Sequence, residues 1–270
     1  MFEMFYGMQH TPFTRGIPSD QLHRTHQNTE VFSRLIITAQ KQSFALLIGE
    51  PGTGKTSTLR RLKDELPESE YMVLYVSDSK LTPRSFYNYL LNQLGCKSEF
   101  HRNAARNALH KQIEIMRNMQ KRKVVVILDE AHLLPKEMLE EARFLLNYKM
   151  DSENPMALIL SGQTELWDKL RLSAYRAILE RVDVECFLTP MDFSETKQYI
   201  ESQLHYAGQE NPVFTEDAMK SIFTFSGGNP RLVNRACSQS LIYGAQMKQT
   251  CIDSKSVDIV LENEVTGAGH

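Results

Sequence analysis

Long apolar runs are missing from this 270-residue sequence: no stretch approaches the eighteen or so residues that a helix needs to cross a bilayer. The opening residues, MFEMFYGMQHTPFTR, lack a basic region followed by an apolar one, so no secretory leader is read there and a cytoplasmic location is expected. Cysteine is scarce. The four residues Cys96, Cys186, Cys237 and Cys251 are widely separated and form no C-x-x-C pair, which suggests neither a zinc site nor a disulfide framework and leaves buried thiols as the expectation. An excess of one charge is also lacking. Thirty-one Lys and Arg against thirty-three Asp and Glu leave a formal net charge of −2, which excludes the strongly basic footprint of many nucleic-acid binders but not local basic patches. Internal repeats and low-complexity segments are absent too.

What is present includes 41% hydrophobic residues, enough for a packed core in one large domain or two small ones. Strand-like apolar runs at 45–48, 72–76, 124–128, 156–160 and 184–188 alternate with helical-period stretches that include 57–66, 85–94, 104–120 and 136–148. This alternation predicts an α/β domain with a five-stranded parallel sheet flanked by helices. After Pro190 the strand pattern ends and four helical stretches follow, with Ser194, Thr215 and Asp253 as expected N-caps and glycines closing two of them. The division expected is an N-terminal element over 1–20, an α/β domain over 21–190, a small all-α domain over 191–264 and a disordered tail over 265–270.

The sharpest signal is FALLIGEPGTGKTSTLRRL, where an apolar run breaks into three glycines within six residues and then resumes with helical period. Gly49-x-x-x-x-Gly54-Lys55-Thr56 fits a phosphate-binding loop, in which a strand ends, a glycine turn exposes backbone N–H groups, and a helix begins with its positive dipole end toward the anion. ATP with Mg2+ is the expected guest, cradled by Gly49, Glu50, Pro51, Gly52, Thr53, Gly54, Lys55, Thr56 and Ser57. Gly52 and Gly54 would take positive φ, Lys55 would reach the β and γ oxygens, and the Thr56 hydroxyl would ligate the magnesium. A second buried strand, KVVVILDEAH, delivers Asp129 and Glu130 at its carboxyl end, where ligands of open α/β sheets collect. Asp129 is expected to hold magnesium and Glu130 to polarise the attacking water. With His132 the string spells D-E-A-H, but a helicase of that type needs two sheet domains and one is visible.

At these residues the sequence resembles the AAA+ P-loop ATPases, and within them the general secretion pathway protein A branch, over roughly residues 2–262. That branch pairs an N-terminal F-G-x-x-x-x-P-F element with such a loop; here it stands as Phe5-Tyr6-Gly7-Met8-Gln9-His10-Thr11-Pro12-Phe13, with Tyr6 as an extra residue. LHRTHQNTEVFSRL follows in the adenine-side position. The resemblance implies that the all-α domain is a lid. It further implies that the polar residue after the fourth strand senses the γ-phosphate, where Gln163 matches better than Ser161 although Asn or Thr is commoner. Arg181 lies where an arginine finger reaches a neighbour's nucleotide, with Arg176 as the alternative, and Arg231 matches a second sensor at the start of a lid helix.

The resemblance extends only to the ATPase half of the secretion protein, which continues into a membrane span and a peptidoglycan-binding part; neither is read here, which turns the expectation away from secretion. Short ATPases of the branch resemble transposon-encoded regulators that assemble on double-stranded DNA as ATP-bound homo-oligomeric rings or filaments and recruit a transposase or integrase. In them a segment matching VSDSKLTPRSFYNYLLNQLGCKSEFHRN lines the DNA-facing surface, and its basic residues here are Lys80, Arg84, Lys97 and Arg102. Such cations would track phosphates without reading bases, although a solvated helix end would look the same. KRK at 121–123 reads as a cap on the preceding helix C-terminus. Two other readings stay open: an ATPase of a secretion or cell-envelope system, and a signalling or scaffold ATPase whose client is a protein.

Overall fold

A short helix, α1 (Phe2–Tyr6), and a sixteen-residue helix, α2 (His26–Lys41), precede the first strand, β1 (Phe44–Gly49). Helix and strand then alternate through α3 (Lys55–Glu65), β2 (Tyr71–Val76), α4 (Pro83–Gln93), α5 (Arg102–Asn118), β3 (Lys123–Leu128), α6 (Lys136–Leu145) and β4 (Ala157–Gly162). Two more helices, α7 (Thr164–Arg171) and α8 (Arg176–Leu179), lead to β5 (Val184–Leu188). The computed structural model describes residues 2–78, 80–146 and 154–267, so the last part of the helix expected over 136–148 lies outside the described residues.

The five strands of the described residues run parallel in the order β2-β3-β4-β1-β5. Burial follows that order. Every residue of β1 and β4 is buried, as is β3 beyond Lys123, whereas the edge strand β5 is only alternately covered. A strand buried on both faces needs apolar residues at every position, which is why the central strands read as unbroken runs rather than alternating ones. Successive side chains still part to opposite faces. Phe44, Leu46 and Ile48 join a core with Phe86, Leu109, Leu139 and Leu166, while Ala45 and Leu47 join another with Leu35, Leu59 and Leu62.

Contacts divide the chain into two units: a sheet unit of Gln27–Pro51 and Lys55–Leu188, and a helical unit of Met1–His26, Gly52–Gly54 and Thr189–His270. The helical unit holds α9 (Phe193–Tyr206), α10 (Glu216–Ser226), α11 (Pro230–Gln246) and α12 (Ser254–Gly267) around Ile200, Ile222, Val233, Leu241 and Val257. Its caps are specific. Thr215 accepts from the amide of Ala218 at 3.1 Å and Asp253 from that of Ser256 at 3.0 Å, both as the sequence suggested. The expected cap at Ser194 is corrected to Asp192, because Asp192 and Glu195 form a reciprocal capping box that satisfies two backbone donors at once. α12 takes in residues 265–267 of the stretch expected as a disordered tail, and 268–270 lie outside the described residues.

The N-terminal segment packs within the helical unit. Tyr6 donates its hydroxyl to the carbonyl of Gln249 at 3.1 Å, the amide of Gln9 bonds the carbonyl of Ala207 at 2.7 Å, and the amide of Phe13 bonds the buried Gln203 at 3.0 Å. Any side chain at Gly244 would collide with the Tyr6 hydroxyl, so that glycine makes room for the phenol. Burial, and secondarily Cys251 nearby, push the Tyr6 phenol up to about 12, keeping it a donor. Cys186 and Cys237 are buried as expected and Cys96 partly so; Cys251 is exposed, a correction to the expectation of buried thiols, and all four are free.

Candidate functional site

β1 ends at Gly49 and α3 begins at Lys55, leaving a turn in which Gly52 and Gly54 have φ of +91° and +100°. Those values are rarely open to L residues, so the two glycines are a backbone requirement. Gly52 has a further constraint within the helical unit, since a Cβ there would come within 2.5 Å of Asn229 Oδ1 and 2.7 Å of Arg231 Cβ. Lys55 is buried, and its Nζ donates back to the carbonyls of Gly49 at 2.6 Å and Glu50 at 3.1 Å, so its charge sits at the mouth of the turn. Thr53 is buried, Thr56 and Ser57 are exposed on the first turn of α3, and Glu50 accepts from Thr164 Oγ1 at 2.7 Å.

Asp129 follows β3 and is only 4% exposed, yet four donors from four places meet its carboxylate. Oδ2 accepts from Thr56 Oγ1 at 3.2 Å and from the Tyr75 hydroxyl at 2.9 Å. Oδ1 accepts from Ser161 Oγ at 2.7 Å and from the amide of Glu130 at 3.0 Å. Burial, and then the negative charge of Asp129, push the Tyr75 phenol far above its ordinary range, so it remains protonated as a donor. Sequence reasoning brought Asp129 to Thr56 but missed Tyr75 and gave Ser161 no part here. The available signals were hydroxyls at the end of otherwise apolar strands, YMVLYV and ALILSG.

Glu130 has left-handed backbone, φ +52° and ψ +33°, which is unusual for a residue with a Cβ and turns the chain sharply out of β3 into the single turn Ala131–Leu133. Its carboxylate lies 3.6 Å from His132 Nδ1. Gly162 allows this turn to approach β4, because a Cβ there would sit 3.2 Å from the amide nitrogen of His132 and 2.8 Å from Leu166 Cδ2.

The remaining sequence-chosen residues are spread more widely. Gln163 is the partly exposed N-cap of α7, next to Ser161 in the chain but not among the groups bonded to Asp129. Arg181 lies in the turn between α8 and β5, its amide bonded to the carbonyl of Ile178 at 3.1 Å. Arg176 makes an exposed i,i+4 pair with Glu180 at 2.8 Å. Arg231 is the second residue of α11, its amide held by Asn229 Oδ1 at 3.0 Å.

In the basic segment, Lys80, Arg84 and Lys97 are exposed, and the Arg84 guanidinium lies 4.9 Å from the ring centroid of exposed Phe100. Arg102 differs: its guanidinium pairs with Glu141, a carboxylate buried in α6 that also accepts the Tyr87 hydroxyl. Arg102 therefore serves the core first, although its side chain remains 45% exposed.

These residues fit a magnesium-bound nucleotide triphosphate. The glycine turn opens its amides at the start of α3, Lys55 supplies a buried cation, and Thr56 and Asp129 place hard oxygen donors side by side. Among the described residues no group of three or more His, Cys, Asp and Glu could hold a metal by itself. The Thr56–Asp129 pair fits magnesium, which takes one or two protein oxygens and completes its shell with phosphate and water.

Residues 37–170 match the family described as the AAA domain. The chain is 30% identical over 247 residues to General secretion pathway protein A of Aeromonas hydrophila, covering 90% of this chain and 44% of that protein, so it spans less than half the relative's length. Among solved structures, Drosophila ORC bound to DNA superposes with a TM-score of 0.72 at 18% identity, covering 98% of this chain and 66% of that one. Cdc6p from Pyrobaculum aerophilum superposes with a TM-score of 0.68 at 18% identity over 89% of this chain and 67% of that one. The sheet and helices are those of an AAA+ P-loop fold. No helix among the described residues is long and apolar enough to cross a membrane.

Proposed function

From a chain that belongs to the AAA+ P-loop ATPases, with its AAA domain over residues 37–170, we propose an ATPase that assembles with copies of itself on double-stranded DNA and regulates transposition by bringing a transposase or integrase to target DNA. The observation that carries the ATPase part is the convergence of Lys55, Thr56 and Asp129, with Glu130 next in the chain, at the carboxyl ends of β1 and β3. Magnesium supplies charge neutralisation on the phosphates when bound. The turn 49–57 orients the phosphates through its amides, with Lys55 as the mobile cation. Thr56 and Asp129 hold the ion, and Glu130 takes the proton of the attacking water. Gln163 senses the γ-phosphate, Arg231 serves as the second sensor, and Arg181 acts on a neighbouring subunit's nucleotide, with Arg176 as the second choice.

The DNA part rests on a fold shared with a DNA-bound ORC chain and on the exposed cations Lys80, Arg84 and Lys97 in the segment 76–103. A single protomer has few phosphate contacts and releases few counterions, whereas protomers joined through nucleotide multiply both. Binding should thus depend on ATP, fall steeply with salt and ignore sequence. Anisotropy of a labelled duplex of arbitrary sequence, with and without a non-hydrolysable ATP analogue, tests this. Lys80→Glu with Arg84→Glu should abolish the signal and spare nucleotide binding, and Lys55→Ala should lose both. No ATP-dependent binding by the wild type at low salt overturns the transposition reading and moves the client to a protein. Unchanged nucleotide affinity in Lys55→Ala overturns the loop assignment.

A further inference from the structure

We infer that Tyr75 is a positioning residue for the metal-binding carboxylate, holding Asp129 so that Oδ2 faces the Thr56 hydroxyl; the inference rests on the ATPase reading of the same site. An aspartate carboxylate turns easily, because its terminal torsion is broad and roughly two-fold. Which oxygen meets the ion is set by the donors around it. On the Oδ1 side stand Ser161, buried in a central strand, and the amide of Glu130. On the Oδ2 side stand Thr56 and Tyr75. The Thr56 oxygen is itself a ligand in the proposed site, so Tyr75 is the side-chain donor on that side that holds the carboxylate without being a ligand.

The phenol is well suited to this because its own place is fixed. β2 is the edge of the sheet, and among the described residues no strand lies beyond it to take its outward backbone groups. At Tyr75 a side chain from α4 substitutes for that strand. Gln93 Oε1 accepts from the Tyr75 amide at 3.2 Å, and Gln93 Nε2 donates to the Tyr75 carbonyl at 3.0 Å. A parallel register sets Tyr75 beside Ile127, so its ring needs to reach only two residues along the neighbouring strand to Asp129. The amide of Gln93, the edge-strand backbone and the phenol thus form one support ending at the carboxylate.

The test measures metal affinity apart from turnover. Mn2+ replaces magnesium as an electron paramagnetic resonance probe and is titrated into the full chain with a non-hydrolysable ATP analogue; nucleotide affinity is measured separately in EDTA. Tyr75→Phe keeps the ring and removes the hydroxyl, and should weaken Mn2+ binding about tenfold, the loss expected for one hydrogen bond to a charged group, while EDTA nucleotide affinity stays within about twofold. Gln93→Ala should shift Mn2+ affinity in the same direction by less. Unchanged Mn2+ affinity in Tyr75→Phe overturns the inference, as does an equal fall of both affinities, which would mark a purely structural part. A wild type that binds no nucleotide at all overturns the ATPase reading instead.

Discussion

Ser161→Ala removes one oxygen from the interior of the sheet unit and so isolates a single hydrogen bond at the site. The hydroxyl lies 2.7 Å from Asp129 Oδ1, Ser161 is fully buried and Asp129 nearly so, which leaves no room for bulk water to replace the donor. A hydrogen bond to a charged acceptor contributes about 1.5–3 kcal/mol. Three other donors remain on the carboxylate, so the loss should fall toward the lower end. Trp167, the one tryptophan in the sequence, lies in the sheet unit, and its fluorescence during urea unfolding reports that unit. The midpoint should drop with an unchanged slope. A double-mutant cycle with Asp129→Ala separates the bond from any packing change, because without a carboxylate the serine has nothing to satisfy. Coupling of about 1.5–2 kcal/mol is expected; a value under about 0.5 kcal/mol would refute the claim that Ser161 holds Asp129.

Glu130→Gln should retain nucleotide while turnover falls about 10²–10⁴-fold, since an amide fits but takes no proton; near-normal phosphate release would move the base elsewhere. Arg181→Ala should bind nucleotide normally and lose up to about 10³–10⁵-fold in hydrolysis, and mixing it with Glu130→Gln should restore part of the activity where an intact Arg181 meets an intact Glu130. If mixing restores nothing, Arg181 does not act across an interface. His110 is held below the ordinary 6.5 by burial first and Arg106 second, so on acidification the unfolded chain takes its proton before the folded one. Stability of the sheet unit should therefore decline as pH drops below about 6.5, and Trp167-monitored urea midpoints of His110→Gln should show a shallower decline; an identical slope would refute it.

The central strands were legible because they are apolar at nearly every position, as strands covered on both faces must be, and the five strands of the described residues overlap the expected ones. The glycine turn after β1 and the position of Asp129 and Glu130 after β3 were legible because the glycine spacing and the end of an apolar run mark them locally. The strand order was not, since it depends on pairings between residues more than a hundred apart, such as Ala45 with Ile159. The cap at Asp192 was misread because Asp and Ser two residues apart both satisfy the local preference, and only the partner Glu195 decides between them. The Tyr75 and Arg102 contacts were invisible for a similar reason. Tyrosine in a strand and arginine at a helix start each have an ordinary local explanation, and the buried carboxylates that engage them lie 54 and 39 residues away.

The hydrogen bond from Tyr6 to Gln249 joins residues 243 apart. At about 5–20 residues per second a ribosome delivers the acceptor roughly 10–50 s after the donor. The intervening chain, with the whole sheet unit, is made first. Throughout that interval Phe2, Tyr6 and Met8, whose packing partners belong to the last helices, have no native surface to cover them. The native cover of Phe2, Tyr6 and Met8 thus forms only once the helices of the helical unit that follow β5 have been made.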